Sequence, residues 1–403
     1  MNVPSLDLKA QYLTIRDEMD KKILEVLGSQ GFVLGPEVES LEKELAALHG
    51  VGHGIGVSSG SDAILVSLMS LGVGEGDSVV TSPFTFFATA GTVTRLKARP
   101  VFCDIDEKIY NLSPESLGLL LRKEVREKGN PRVKAIIPVH LYGQCADMDA
   151  INDLAREYGL AIVEDACQAV GSEYPSKLGT KRACALGTAG ALSFYPTKNL
   201  GGIGDGGMVL TNDGRLAARV RSLRVHGESR RYYYDAIGGN FRLDALQAAA
   251  LRVKLRHFAD WQEERRKRAE AYDRKLQEAG LPGEGFVALP HALYKDSGVA
   301  NYHTYHQYVI RAKDRDALQA SLKEKGVGTA VYYPLGLHMQ KCFSGLGYRP
   351  GDFPVTEKAC REVLALPMYP ELTSEQQDYV VSCIAEFYGM GVRSAGPSSG
   401  PGA

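Results

Sequence analysis

The stretch SFYPTKNLGGIGDGG, residues 193–207, decides how this chain is read. From Gly202 to Gly207 its letters match G-x-G-x-x-G, the dinucleotide-binding fingerprint. That fingerprint requires its glycines to follow a strand directly and to open a helix, so that a pyrophosphate meets the helix N-terminus. Here ALSFY reads as the strand, but Pro196 to Leu200 intervene before the glycines. After Gly207 comes MVLTND, a strand-like run closed by a turn, with no helix to receive a phosphate. The dinucleotide reading therefore fails on context. The glycines are expected instead to let the backbone pass close to a cofactor and substrate. The residue left to explain is Lys198.

Strands and helices alternate on either side of it, from about residue 50 to 210. GIGVSS (54–59) reads as a strand, and SDAILVSLMSLG as a helix with Ser61 at its N-cap and Gly72 past its end. SVVTS and PVFCDID read as buried strands around a helical TFFATAGTVTRL, and KAIIPVHLYG (134–143) as another strand. DMDAINDLAREYG places Met148, Ile151, Leu154, Ala155 and Tyr158 on one helix face and stops at Gly159; LAIVEDAC is the next strand. The alternation predicts an α/β domain around a mostly parallel sheet buried on both faces. Beyond residue 245 a long charged helical stretch leads into a smaller α+β unit, with YHQYVIRA and VGTAVYYP as strands and DRDALQASLKEKG and SEQQDYVVSCIAEFYG as helices. The expected division is a large domain over 1–255, a small one over 256–389, and a disordered Pro/Gly/Ser tail at 390–403.

Composition excludes several classes. The 403 residues carry a net charge of -1, which gives no footprint for nucleic acid or an acidic membrane surface. The mixed run EERRKRAE reads as a solvated helix face. Seven scattered cysteines without a C-x-x-C pair suit reduced thiols in the cytoplasm. No signal-like start and no apolar run of membrane-spanning length is present, so a cytoplasmic protein is expected.

A lysine held after a strand in a glycine-rich loop can be desolvated, freeing its amine for a carbonyl. A surface lysine would be the ordinary reading of Lys198, but a second feature lies upstream. The strand LAIVEDAC ends in Asp165, and a carboxylate at that end of a parallel strand points into the ligand crevice, although a turn or helix cap would also use it. Pyridoxal 5'-phosphate (PLP) needs this pair: a lysine for the Schiff base and an aspartate that keeps the pyridine nitrogen protonated. VSSGSDAI supplies a phosphate cup, with the Gly60, Ser61 and Asp62 amides at a helix N-terminus. His303 and His306 would face opposite sides of a strand, so packing is expected and a metal is not.

The segments LGPEVESLEKELA, VSSGSDAILVSL, SPFTFFATA, VEDACQAVGSEY, SFYPTKNLGGIGDGGMV, LRVHG, IGGNFRLDALQAA and VYYPLGLHMQ resemble, in order from about residue 5 to 385, the DegT/StrS family of nucleotide-sugar aminotransferases. The resemblance implies the aspartate-aminotransferase fold (fold type I) with a seven-stranded sheet, PLP with its pyridoxamine form (PMP), and a homodimer that shares its active sites. It also implies roles. Lys198 would carry the cofactor and shuttle the proton, Asp165 would face the pyridine nitrogen and Gln168 the ring hydroxyl. Ser193 would join Ser61 and Asp62 at the phosphate, Phe86 would stack on the ring, and Asn240 would reach the partner's phosphate with Arg242 beside it. Tyr332, Tyr333 and His338 fall at the substrate loop, and Tyr232, Tyr233 and Tyr234 near the nucleotide-sugar site. The implied reaction is ping-pong transfer from L-glutamate to a UDP- or dTDP-linked keto-sugar, for surface polysaccharide, lipid A or glycoside synthesis. Gly204-Asp205-Gly206-Gly207 resembles members acting at sugar C3, where members acting at C4 often carry Thr-x-Glu-Gly-Gly. Amination at C4, a PLP/PMP-dependent sugar dehydratase and a non-catalytic regulatory relative stay open as alternatives.

Overall fold

A computed structural model describes residues 1–127 and 132–390; the expected tail beyond 390 lies outside the described residues. Its centre is a seven-stranded sheet of β1 (His53–Val57), β2 (Ser78–Thr81), β3 (Arg99–Phe102), β4 (Val133–Ile137), β5 (Ala161–Asp165), β6 (Ala189–Ser193) and β7 (Gly207–Thr211). The spatial order is β1-β7-β6-β5-β4-β2-β3, and β7 runs against both neighbours while the other pairs are parallel. Side chains alternate along each strand between two cores, as period-two geometry requires. Val79, Ala135, Ile137, Val163, Ala191 and Val209 enter one apolar cluster. Val80, Ile136, Ile162, Leu192, Met208 and Leu210 enter the other. Burial on both faces explains why these strands read as short continuous apolar runs.

The helices that cover the sheet follow their sequence signals. Met148–Tyr158 buries Met148, Ile151 and Ala155, and Gly159 closes it at φ 65°, its amide bonded to Ala155 and Arg156 carbonyls. The strand expected over 134–143 ends earlier, at Ile137. Past it, Val139 still bridges Asp165, and the chain then turns through Leu141–Gly143.

The smaller unit holds an antiparallel sheet of β8 (Val287–Ala288), β9 (Tyr308–Ala312) and β10 (Val363–Leu366), in that order. Helices Arg315–Glu324 and Ser374–Phe387 accompany it, the latter opened by a Thr373/Gln376 capping box. One helix of 34 residues, Ala245–Glu278, runs unbroken through position 255, where a boundary was expected. Val3 bridges Val327, so the first residues join the C-terminal unit. VGTAVYYP forms no regular strand. Ala330 bridges Ala365, and the chain then leaves the sheet so that Tyr332 and Tyr333 line a cleft. The charged run on the long helix is solvated only in part. Lys267 pairs with Glu263 and Glu264 and Arg268 with Glu264, but Arg265 is buried and donates to the Tyr305 and Met368 carbonyls, because the helix turns that position toward the smaller unit.

Candidate active site

Because β7 is reversed, its first residue, Gly207, pairs with the last residues of β1 and β6, at the same end of the sheet as the carboxyl end of β5. A cleft of about 830 Å³ opens there, lined by Gly60, Asp165, Gln168, Ser193 and Lys198 among others. Carboxyl ends of parallel strands are where open α/β sheets bind ligands.

The lysine sits on a loop pinned at both ends. Phe194 N–H donates to Gly206 O at 2.8 Å and Gly202 N–H to Phe194 O at 2.7 Å, while Lys198 N–H closes a turn onto Tyr195 O at 2.8 Å. Lys198 is half-buried, and its amine opens onto the cleft. Among the described residues nothing hydrogen-bonds its Nζ. Desolvation lowers its pKa, opposed by the neighbouring Cys167 and Asp165. A lysine amine with a lowered pKa and no protein partner is suited to attack a carbonyl.

Asp165 is buried at the end of β5. Its Oδ2 accepts from Thr89 Oγ1 at 2.8 Å and its Oδ1 from Cys167 N–H at 3.2 Å. Thr89, on helix Ala88–Arg95, and Thr85, in the loop before it, have hydroxyls 3.0 Å apart. Sequence reasoning missed Thr89 because FTFFATA reads as an apolar run; the signal was the four-residue spacing of its two threonines. Gln168 is held in one orientation. Its Oε1 accepts from Tyr142 N–H at 2.7 Å and its Nε2 donates to Tyr333 Oη at 3.1 Å.

The cup differs from the expectation by two residues. Helix Gly60–Ser70 is capped by Ser59, not Ser61, with Ser59 Oγ accepting from Asp62 N–H. Asp62 also takes the hydroxyls of Ser58 and Ser59 at 2.7 and 2.9 Å and pairs with Arg95, so its groups are spent on the cap and it does not line the cleft. Gly60 and Ser61 line the cleft with Ser193 beside them, and no helical carbonyl can reach their N–H groups. A Cβ on Gly60 would stand 2.6 Å from Ser193 Cβ and 2.8 Å from Cys167 Sγ.

The glycines of the opening stretch pack against protein more than they approach a ligand. A Cβ at Gly202 or Gly204 would meet the Gln247 amide at 2.6 Å, and one at Gly207 would meet Ser59 O at 2.3 Å. Of Gly201 to Gly207 only Asp205 and Gly206 line the cleft.

Phe86 is 58% exposed and lines the cleft without a ring partner among the described residues, so it is no core residue. Phe87 beside it stacks on Phe343, centroids 5.6 Å apart. Tyr332 and Tyr333 also line the cleft. His338 does not. It is 2% exposed, its ring against Phe353 and its Nε2 3.3 Å from Glu357, because the short helix Leu337–Met339 turns Leu337, not His338, to the cleft. Asn240, Arg242 and Tyr232 also stand outside their own chain's cleft. Arg242 Nε donates to Asn240 Oδ1 at 2.9 Å, and Tyr232 lies 71% exposed on the hairpin 228–234. His303 and His306 precede β9 and are both buried, but His306 lines the cleft, its Nδ1 3.1 Å from Asn199 Oδ1. Burial holds His306 well below its ordinary pKa, with Lys198 and Arg265 adding to the effect.

Two unpaired helix amides for a phosphate, an unpaired amine, a fixed carboxylate and an open phenyl face fit PLP. The sheet order with its single reversed strand, and the placement of aspartate at the end of β5 and lysine on the loop after the adjoining β6, define the class: a fold type I PLP-dependent enzyme. Within that class, residues 13–385 match the DegT/DnrJ/EryC1/StrS aminotransferase family, and the chain belongs to it. It is 50% identical over 388 residues to a pleiotropic regulatory protein of Geobacillus stearothermophilus, covering 96% of this chain and 99% of that one. It is 43% identical to the UDP-2-acetamido-2-deoxy-3-oxo-D-glucuronate aminotransferase of Pseudomonas aeruginosa, covering 91% and 95%. The crystal structure of S. venezuelae DesV in complex with a ketimine intermediate superposes with a TM-score of 0.87 at 38% identity, covering 96% and 98%. The family is PLP-dependent, and among the described residues no helix is long and apolar enough to cross a membrane.

Proposed function

We propose that the chain moves the amino group of L-glutamate to C3 of a UDP- or dTDP-linked 3-keto sugar, making a 3-amino sugar for surface polysaccharide, lipid A or glycoside synthesis in the cytoplasm. The observation that carries the reading is the desolvated, unpartnered Lys198 amine facing the same cleft as Asp165. The choice of C3 rests on Gly204-Asp205-Gly206-Gly207, and it agrees with the 3-oxo sugar in the name of the Pseudomonas relative.

PLP, when bound, supplies an electron sink for the charge left at Cα of the donor. The chain does the rest. Gly60 and Ser61 N–H with the Ser193 hydroxyl would bind its phosphate, Phe86 would cover its ring, Asp165 would hold a proton on the pyridine nitrogen, and Gln168 would orient the ring oxygen. Lys198 Nζ takes the proton from Cα of glutamate and, in the second half-reaction, delivers one to sugar C3. Tyr332 and Tyr333 flank the sugar. We infer that Asn240, Arg242 and Tyr232 serve the cleft of a second copy, since all three lie outside their own chain's cleft and Asn240 and Tyr232 are exposed. Asp62 acts through the Ser59 cap, and His338 through packing behind the loop.

The test is product analysis with glutamate and a panel of 3-keto and 4-keto UDP- and dTDP-sugars. A 3-amino product from the 3-keto substrates is expected. A C4-amino product, or no amination of any member by PLP-loaded protein, overturns the assignment.

A further inference from the structure

The loop that presents Lys198 is held from behind by one stripe of the 34-residue helix. Gln247, Lys254 and Gln262, seven and eight residues apart, fall on a single helix face. Gln247 Oε1 accepts from Ile203 N–H at 2.8 Å, and its amide is sandwiched between Gly202 and Gly204. Lys254 Nζ donates to Gly201 O at 2.7 Å. Gln262 Nε2 donates to Val170 O at 2.8 Å, two residues beyond Gln168.

Lys254 is the unusual member. It is 8% exposed, and among the described residues its ammonium has that one carbonyl and no carboxylate. Burying a charge with so little compensation costs stability. An apolar side chain of similar length would recover that cost but leave Gly201 O without its donor, so the two effects on the fold oppose each other. Holding the fold together therefore does not account for an ammonium here. Its one contact does: Gly201 is the third residue after Lys198, on the limb that returns to Phe194.

We propose that Lys254, assisted by Gln247, is a positioning residue for Lys198. It fixes the Gly201 carbonyl, and thereby the limb from which the Lys198 amine reaches into the cleft. The proposal rests on Lys198 being the cofactor-bearing lysine.

The test uses full-length, PLP-loaded Lys254→Met and Gln247→Leu, with Lys267→Met on the exposed helix face as control. Three quantities are read: thermal midpoint, kcat against KM, and the midpoint of the pH titration of the visible cofactor band. Lys254→Met is expected to melt close to wild type, since the relief of a buried charge offsets the unpaired Gly201 carbonyl, and to keep its KM for glutamate. Its kcat should fall about tenfold, a smaller loss than the roughly hundredfold that a full ~1 Å misplacement of a reacting group can cost. Its band midpoint should move by about half a pH unit or more as the Lys198 surroundings change. Gln247→Leu should shift the same way by less, and Lys267→Met not at all. The proposal is overturned if Lys254→Met keeps kcat and band midpoint, or if stability and kcat fall together without a midpoint shift. Should Lys254→Met fail to fold, Gln247→Leu decides by the same criteria. Lys198→Ala separates the underlying reading: if borohydride reduction still fixes a pyridoxyl group to that variant, Lys198 is not the cofactor lysine, whatever Lys254 does.

Discussion

Gly207→Ala tests how the reversed strand builds the cup. Gly207 pairs with Val57 on one side and Ser193 on the other, so its own backbone is held. An added Cβ would lie 2.3 Å from Ser59 O, 2.4 Å from Ser59 C and 2.7 Å from Gly60 N. Ordinary contacts of this kind sit near ~3.5 Å, so about 1 Å of movement is required. All three obstacles are backbone, so no rotamer change relieves them. The displacement falls on the N-cap and first residue of the helix whose amides face the cleft. Helix-terminal charge interactions reach about 2 kcal/mol in partly buried sites, and losing that much weakens binding roughly 30-fold. Titrating PLP into the apo variant, followed by absorbance, should show that loss. Gly204→Ala is the comparison, since its Cβ meets only the Gln247 side-chain amide, and it should bind PLP nearly normally. A Gly207→Ala protein that binds PLP within about threefold of wild type would refute the reasoning.

Phe86→Ala should weaken PLP binding by roughly fivefold to tenfold, from about 1 kcal/mol of stacking. Phe87→Ala should instead lower the melting temperature, because its ring packs on Phe343; equal effects of the two on PLP affinity would contradict the assignment. Thr89→Val removes the hydroxyl that donates to Asp165 Oδ2, a bond to a charged group worth about 1.5–3 kcal/mol. Its turnover should fall at least about tenfold with the fold intact by circular dichroism. Burial holds His49 at about 4 and His303 at about 3, both below their unfolded value of 6.5. The unfolded chain therefore binds more protons than the native one below pH 6.5, and the stability present above that pH drains away as pH falls toward 4 and 3. Urea midpoints should decline over that window, and less steeply in His303→Gln, which keeps an acceptor for Tyr305 N–H but does not titrate.

Much of this was legible in the sequence because local signals and the global fold agree. Apolar runs such as SVVT and AIVED could only be strands buried on both faces, and Asp165 falls where such a strand ends. The failures have physical causes. VSSGSD contains three serines, each able to cap a helix, and only where β1 stops pairing, at Val57, selects Ser59. VGTAVYYP has the β-branched and aromatic residues of a strand, yet its tyrosines are used at the cleft wall, which pulls the chain off the sheet. Neither helical turn direction at His338 nor the pocket-facing side of His306 is written in spacing alone. The glycines after Lys198 answer to Gln247 and Ser59, partners distant in sequence on one side and across the sheet on the other.

The central claim is that Lys198 bears the cofactor, and the most direct measurement is its covalent capture. PLP-loaded protein is reduced with borohydride, which fixes the carbon–nitrogen link between lysine and cofactor, then digested and mapped by mass spectrometry. The account predicts the pyridoxyl group on the peptide containing Lys198, and its disappearance in Lys198→Ala. The group on another lysine, such as Lys254, or no stable adduct in a protein that still aminates its sugar, would contradict it.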